Sequence, residues 1–192
     1  MRCSTCDEKD CYTGKDCTRI KELVVDRYSE VSNQKLMKTA SGIEACHYMK
    51  LTRVEELITF AQGMGFGRLG IAFCIGLEEE ARVLGKILEQ SFHVSSVCCK
   101  VCGIDKRDLG LARIKTDRYE ATCNPIGQAM ILEKEKTDLN IIVGLCIGHD
   151  ILFTQYSKAP VTTLVVKDRV LAHNPAGALN SRYYRKKLLP SG

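Results

Sequence analysis

The sequence predicts an α/β class of fold: a three-layer domain around a four-stranded, mainly parallel sheet of strand order 2-1-3-4, preceded by a cysteine-rich metal knuckle and helices. Three observations carry this reading. The apolar stretch Leu139 to Leu145 is rich in β-branched residues and is followed by the turn Gly148-His149-Asp150, as expected of a strand buried on both faces. Arg68 to Cys74, His93 to Cys99 and Val161 to Val166 are similar short runs, separated by segments with helical periodicity. Two of the four runs end in cysteine and a third leads directly into Cys146, so parallel neighbours would collect their thiols along the carboxyl edge of one sheet, where open α/β sheets bind ligands.

A chain of 192 residues is long enough to bury a core without staples, so its eleven cysteines answer some other need. Met1-Arg2-Cys3 begins no apolar signal region, and no apolar run reaches the roughly 18 residues of a membrane span. The expected location is cytoplasmic, where thiols stay reduced, so the cysteines point to metal or redox chemistry rather than disulfides. The whole formal charge of +5 lies between Lys167 and Gly192, in Lys167, Arg169, Arg182, Arg185, Lys186 and Lys187 against Asp168. No groove-binding motif or aromatic platform accompanies these residues, so they read as a solvated helix end; neither nucleic acid nor membrane is an expected partner.

Two parts are expected, residues 1–50 as a cysteine-rich metal-binding segment with a helical lead-in and residues 51–192 as the α/β domain. Cys3, Cys6, Cys11 and Cys17 stand in a polar segment that cannot pack a core, which suggests that bound metal folds it. Their spacing matches neither a common zinc finger nor the bacterial ferredoxin run, and a frayed terminus with free thiols is the alternative. Thr18 opens a helix with Ile20, Leu23, Val24, Tyr28 and Val31 on its inner face, and a second helix follows with Cys46-His47 near its end, read as core residues. Thr52-x-x-Glu55 is a capping box for a third helix.

Gly65-Phe-Gly67-Arg-Leu-Gly70 matches the dinucleotide pattern G-x-G-x-x-G, but it ends a helix and leads into a strand, the reverse of a phosphate loop. It reads as a helix C-cap and turn. After the first strand comes a helix with Leu77, Ala81, Leu84 and Leu88 on one face, and after the second a Cys99-x2-Cys102 turn. A polar loop with a short helix runs to Cys123-Asn-Pro125, where Pro125 suits a first helical turn and leaves Cys123 beside a helix amino end, a place that favours thiolate. Asp150 is the expected cap of the helix after the third strand. Beyond the fourth strand, Asp168 to Pro175 reads as a turn and short strand, and Ala176 to Lys187 as a terminal helix.

The metal ligands expected at the sheet edge are Cys74, Cys102, Cys123 and Cys146, with Cys99 as the nearest substitute. A [4Fe-4S] cluster suits them, because helix amino ends after Cys74, Cys123 and Cys146 would stabilise its negative charge; zinc is the alternative metal. One cluster or two are expected in all. Gly76 and Gly148, in the turns after Cys74 and Cys146, are the candidate cofactor-binding glycines, and His149 is the candidate catalytic acid and base, or a plain helix-cap residue. Three ligands with one open iron would make a catalytic site, and four an electron relay.

Cys123-Asn-Pro-Ile-Gly-Gln-Ala, Gly144-Leu-Cys-Ile-Gly-His-Asp, Lys158-Ala-Pro-Val-Thr-Thr-Leu-Val-Val-Lys-Asp-Arg-Val-Leu and His173-Asn-Pro together resemble an uncharacterised cysteine-rich family of anaerobic archaea and bacteria, a domain of unknown function whose members carry the label "metal-binding protein". The resemblance spans essentially the whole chain, and it implies metal binding in an anaerobic cytosol and no particular reaction. The function expected is that of an iron–sulfur protein performing redox or sulfur-transfer chemistry on a small molecule, or relaying electrons to a redox partner protein. A non-catalytic zinc or metal-handling protein is the alternative.

Overall fold

The computed structural model describes residues 1–189; Pro190, Ser191 and Gly192, the end of the basic segment, lie outside the described residues. The chain forms two compact units, one from Met1 to Leu51 and the other from Thr52 onward. Among the described residues, no helix is long and apolar enough to cross a membrane.

The first unit carries two short 3-10 turns, Cys3–Thr5 and Asp10–Thr13, and the helices α1 (Lys21–Ser29) and α2 (Val31–His47). Helix α1 starts at Lys21 rather than Thr18, because the Asp16 carboxylate gathers the amides of Thr18 and Arg19 at 2.9 Å and of Lys21 at 3.0 Å into a turn before the helix. Glu30, extended at φ −60° and ψ 132°, then separates the two helices. Neither helix contains a buried residue, so the inner face expected of α1 and the core positions expected for Cys46 and His47 are not formed within this unit.

The second unit opens with the capping box: the Glu55 amide donates to Thr52 Oγ1, the Thr52 amide returns to the Glu55 carboxylate at 2.7 Å, and α3 (Arg53–Met64) begins. Gly65 closes it at φ 72°, with its amide on Ala61 and Gln62, so the G-x-G-x-x-G match is a helix stop feeding a strand. The strands are β1 (Arg68–Phe73), β2 (His93–Cys98), β3 (Leu139–Val143) and β4 (Val161–Val165). They form one all-parallel sheet in the order β2-β1-β3-β4, flanked by helices that include α4 (Glu78–Leu88), α5 (Pro125–Lys134) and α6 (His149–Tyr156). Every residue of β3 is buried, as a central parallel strand requires.

Asn140 interrupts the apolar β3 and is itself buried. Its Oδ1 accepts from Thr137 Oγ1 and its Nδ2 donates to Ser157 Oγ, both at 2.8 Å, which meets the cost of placing an amide in the core. Leu77, Ala81, Leu84 and Leu88 are buried together, as their spacing indicates. Two boundaries differ from expectation. Asp168 to Pro175 forms a turn without a strand, because Asp168 Oδ1 accepts the amides of Val170 and Leu171 at 2.9 and 2.8 Å and curls the chain. The terminal helix is broken at the extended Ser181 into α7 (Ala176–Asn180) and α8 (Arg182–Leu188).

Gly144, directly after β3, has φ +70°, and a Cβ there would collide with the buried Leu77 side chain. Gly144→Ala is therefore expected to destabilise the second unit by about 2 to 4 kcal/mol, combining backbone strain with overpacking. Chemical denaturation of the variant beside wild type measures this, and an unchanged midpoint would show that the turn relaxes freely.

Candidate metal centre

The strand order creates a switch point between β1 and β3: the chain leaves β1 toward β2 on one side and later returns to β3 on the other. Ligand crevices in such sheets open at the carboxyl ends of the strands flanking that point. Cys74 follows β1 directly, and Cys146 follows β3 after Gly144 and Leu145. Backbone hydrogen bonds continue past the strands and fix these exits, with the Cys74 amide donating to Val143 O at 3.1 Å and the Gly144 amide to Val165 O at 2.7 Å. On the other side, the Cys99 amide donates to Phe73 O at 2.8 Å, and the Asn124 amide to Cys99 O at 2.8 Å. Residues 123, 99, 74 and 146 thus follow one another along a single edge.

The side chains bear out this proximity. The Cys99 sulfur accepts the Ile75 amide at 3.4 Å, and its thiol is hydrogen-bonded to the Cys123 sulfur. Cys123 in turn has Lys100 Nζ at 3.5 Å, and that ammonium is steadied by Ala121 O at 2.7 Å. Arg169 Nη2 donates to Cys146 Sγ at 2.9 Å, and the same guanidinium lies within electrostatic reach of Cys74 and Cys123. Cys74 and Cys99 are buried, while Cys123 and Cys146 are partly exposed, so the group has an inner and an outer half.

These contacts set the ionisation of the pair. Cys123 is lowered to about 5, chiefly by the hydrogen bond from Cys99, against the opposing effect of burial and with help from the charges of Lys100 and His149. Cys99 moves the other way, raised by its bond to the Cys123 sulfur and by burial, so one proton is held on the inner sulfur and the outer one is anionic. The presence of the Arg169 charge beside Cys146 extends the same pattern, in which cations surround thiol sulfurs.

Cys99, the substitute ligand in the sequence reading, occupies the place next to Cys123. Cys102 stands exposed on the following turn with φ +69°. His149 is the first residue of α6, close enough to Cys123 for its charge to act there. The cap of α6 is Gly148 at φ +88° rather than Asp150, which lies within the first turn; the amides of His149 and Asp150 donate to Cys146 O at 2.9 and 3.1 Å. Gly76 lies under a cation: a Cβ there would sit 3.2 Å from Lys167 Nζ. In the first unit, Cys3, Cys6, Cys11 and Cys17 are all exposed. Lys15 bridges Glu8 and Asp10 at 3.2 and 3.0 Å and feels the charges of Cys17 and Cys6.

Four residues outside the cysteine set shape the edge. Lys100 and Arg169 supply its cations, Asn124 caps α5 by accepting the Gly127 amide at 2.8 Å, and Gln128 braces the β1 and β2 exits. Gln128 Nε2 donates to Phe73 O at 3.1 Å and Val97 O at 2.7 Å, leaving its Oε1 buried without a partner. Lys100 sits between Cys99 and Cys102 in sequence, and Arg169 soon follows a strand end, so both carried a positional signal once the edge was recognised. Among the described residues, no three His, Cys, Asp or Glu side chains are grouped closely enough to hold a single metal ion.

Residues 10–164 match the family model described as a protein of unknown function, DUF1847. An uncharacterised protein of Methanocaldococcus jannaschii, MJ0455, is 58% identical to the chain over 190 residues, which is 98% of each protein. No solved structure matches the chain.

Because the thiolate is the nucleophile, alkylation of Cys123 in metal-free protein should rise with pH through about 5, instead of through the ordinary thiol range near about 8.5. Cys99→Ala removes the principal hydrogen bond and should move that midpoint upward. Mass-resolved labelling of the Cys123 peptide with iodoacetamide across pH checks both; a wild-type midpoint in the ordinary range would contradict the pairing.

Proposed function

The chain belongs to the DUF1847 family, cysteine-rich here and of unknown function, and for it we propose an iron–sulfur protein whose working centre is held by Cys74, Cys99, Cys123 and Cys146 at the sheet edge. The observation that carries this reading is the gathering of four thiols from three strand exits and one helix start along one backbone-bonded edge. Cys102, exposed on the adjoining turn, is the reserve ligand.

The donor set suits the group on two counts. Four sulfurs are the ligation that a [4Fe-4S] cluster takes. The thiolate-ligated cluster carries net negative charge, and Lys100 and Arg169 already lie 3.5 and 2.9 Å from two of the sulfurs. Those donors would raise its reduction potential, as hydrogen bonds to cluster sulfurs do.

The bound cluster would supply electron transfer or sulfur chemistry, and the chain supplies the rest. Gln128 and the edge hydrogen bonds hold the buried Cys74 and Cys99 in place. Cys123 and Cys146 face outward with His149, which is positioned to move a proton for a small molecule arriving at the crevice. Cys3, Cys6, Cys11 and Cys17 form a second site, suited to exchanging electrons with a redox partner protein. An oxygen-poor, reducing cytoplasm suits so many free thiols.

Iron, zinc and acid-labile sulfide in protein purified without oxygen test the proposal, on wild type and on Cys146→Ser. About eight irons and eight sulfides per chain are expected, falling by about half in the variant. One or two zincs without sulfide would replace the reading with a structural or metal-handling protein.

A further inference from the structure

We propose that Cys99 and Cys123 are a working dithiol pair, which in the metal-free protein exchanges with a small organic disulfide and closes to an internal Cys99–Cys123 disulfide. The pair is defined by backbone adjacency and does not require a metal. Its consequence for loading rests on the iron–sulfur reading: closure removes two of the four edge ligands.

Three features distinguish this pair from the other cysteines. The first is adjacency. The Asn124 amide on Cys99 O at 2.8 Å holds the two segments side by side, as neighbouring strands are held, so that Cys99 and Cys123 lie on adjacent backbones. Neighbouring backbones of that kind lie within the reach of a disulfide.

The second is unequal access. Cys99 is 1% exposed and Cys123 is partly exposed, so an incoming disulfide meets the Cys123 sulfur and cannot meet that of Cys99. Cys99 then stands behind the mixed disulfide, where it can resolve it. The third is charge. Lys100 Nζ at 3.5 Å from Cys123 Sγ supports negative charge on the attacking sulfur, and the Ile75 amide at 3.4 Å from Cys99 Sγ supports it on the resolving one. Cys98 does not share this arrangement, since its sulfur accepts the Lys100 amide at 3.5 Å on its own strand end.

The Cys123 sulfur attacks one sulfur of the disulfide RSSR, the S–S bond breaks, and one RS⁻ leaves and takes up a proton. The Cys99 sulfur then attacks the Cys123 sulfur of the mixed disulfide, and its proton passes to the second departing RS⁻. Two thiols and RSSR become one internal disulfide and two RSH, with two electrons passing from the protein to the organic disulfide. A reducing dithiol runs the sequence backward.

Metal-free protein, reduced and then treated with oxidised glutathione, tests this by peptide mapping without reduction. Lys100 separates the two cysteines into different tryptic peptides, and fragmentation of the cross-linked pair between Cys98 and Cys99 assigns the bond to one or the other. Wild type should yield the Cys99–Cys123 cross-linked peptide pair, with both thiols lost and no glutathione retained on either. Cys99→Ser should retain one glutathione on Cys123. Cys123→Ser should carry none on the buried Cys99. Cross-links from Cys99 to Cys74, Cys98 or Cys102, or glutathione left on wild-type Cys123 beside a free Cys99 thiol, would overturn the pair. The wild-type map decides the question even if a variant folds poorly. Iron and sulfide content of the untreated protein reports separately on the cluster.

Discussion

The carboxyl edge of the sheet is tied by backbone hydrogen bonds that continue beyond the last strand residues, and the placement of Cys74, Cys99, Cys123 and Cys146 depends on them. The Asn124 amide bonds to Cys99 O, the Cys99 amide to Phe73 O, the Cys74 amide to Val143 O and the Gly144 amide to Val165 O. Each such bond contributes about 1 kcal/mol net, but leaving one of these buried groups unmade would cost more, so the belt resists being opened at any one link. Its geometric effect matters more for function than its energy. Five segments distant in sequence are fixed in one row, and the positive φ of Gly144 and Gly148 lets the chain turn sharply on either side of Cys146.

Around that row the electrostatics have one sign. Lys100 comes from the loop after β2, and Lys167 and Arg169 from the loop after β4; together they approach the helix start that carries Cys123 and the strand exits that carry Cys74 and Cys146. Guanidinium and ammonium groups at sulfur stabilise thiolate over thiol, and they equally stabilise the negative charge of a thiolate-ligated cluster. The Asp168 turn has a role in this, because by curling residues 168–171 it brings Arg169 back over β3's exit. The edge is thus prepared for anionic sulfur before any ligand arrives.

Much of this was legible in the sequence for identifiable reasons. The β-branched stretch at 139–143 and the amphipathic spacing of Leu77, Ala81, Leu84 and Leu88 report burial directly, and alternation of strand and helix with short connections leaves few sheet orders. Cysteine at three strand ends could be placed on one edge because parallel strands share an edge. The different surroundings of Cys99 and Cys102 could not be read, since they depend on how the chain leaves β2: Cys99 continues the ladder, whereas Cys102 lies in a left-handed turn. Arg169 looked like part of a solvated basic tail because its approach to Cys146 is made through a turn set by Asp168. The first unit was less legible, for its helices have apolar residues without a stripe deep enough to bury any of them.

The family membership and the 58% identical relative extend the question beyond this chain without answering it, since both are described as uncharacterised. The central claim is that the sheet-edge thiols converge to hold iron. Anomalous diffraction at the iron absorption edge, from crystals grown without oxygen, tests it most directly. A strong iron peak bounded by Cys74, Cys99, Cys123 and Cys146, with their sulfurs at bonding distance, is the expected result. Four free sulfurs at that edge, with any iron in the crystal located elsewhere, would contradict it.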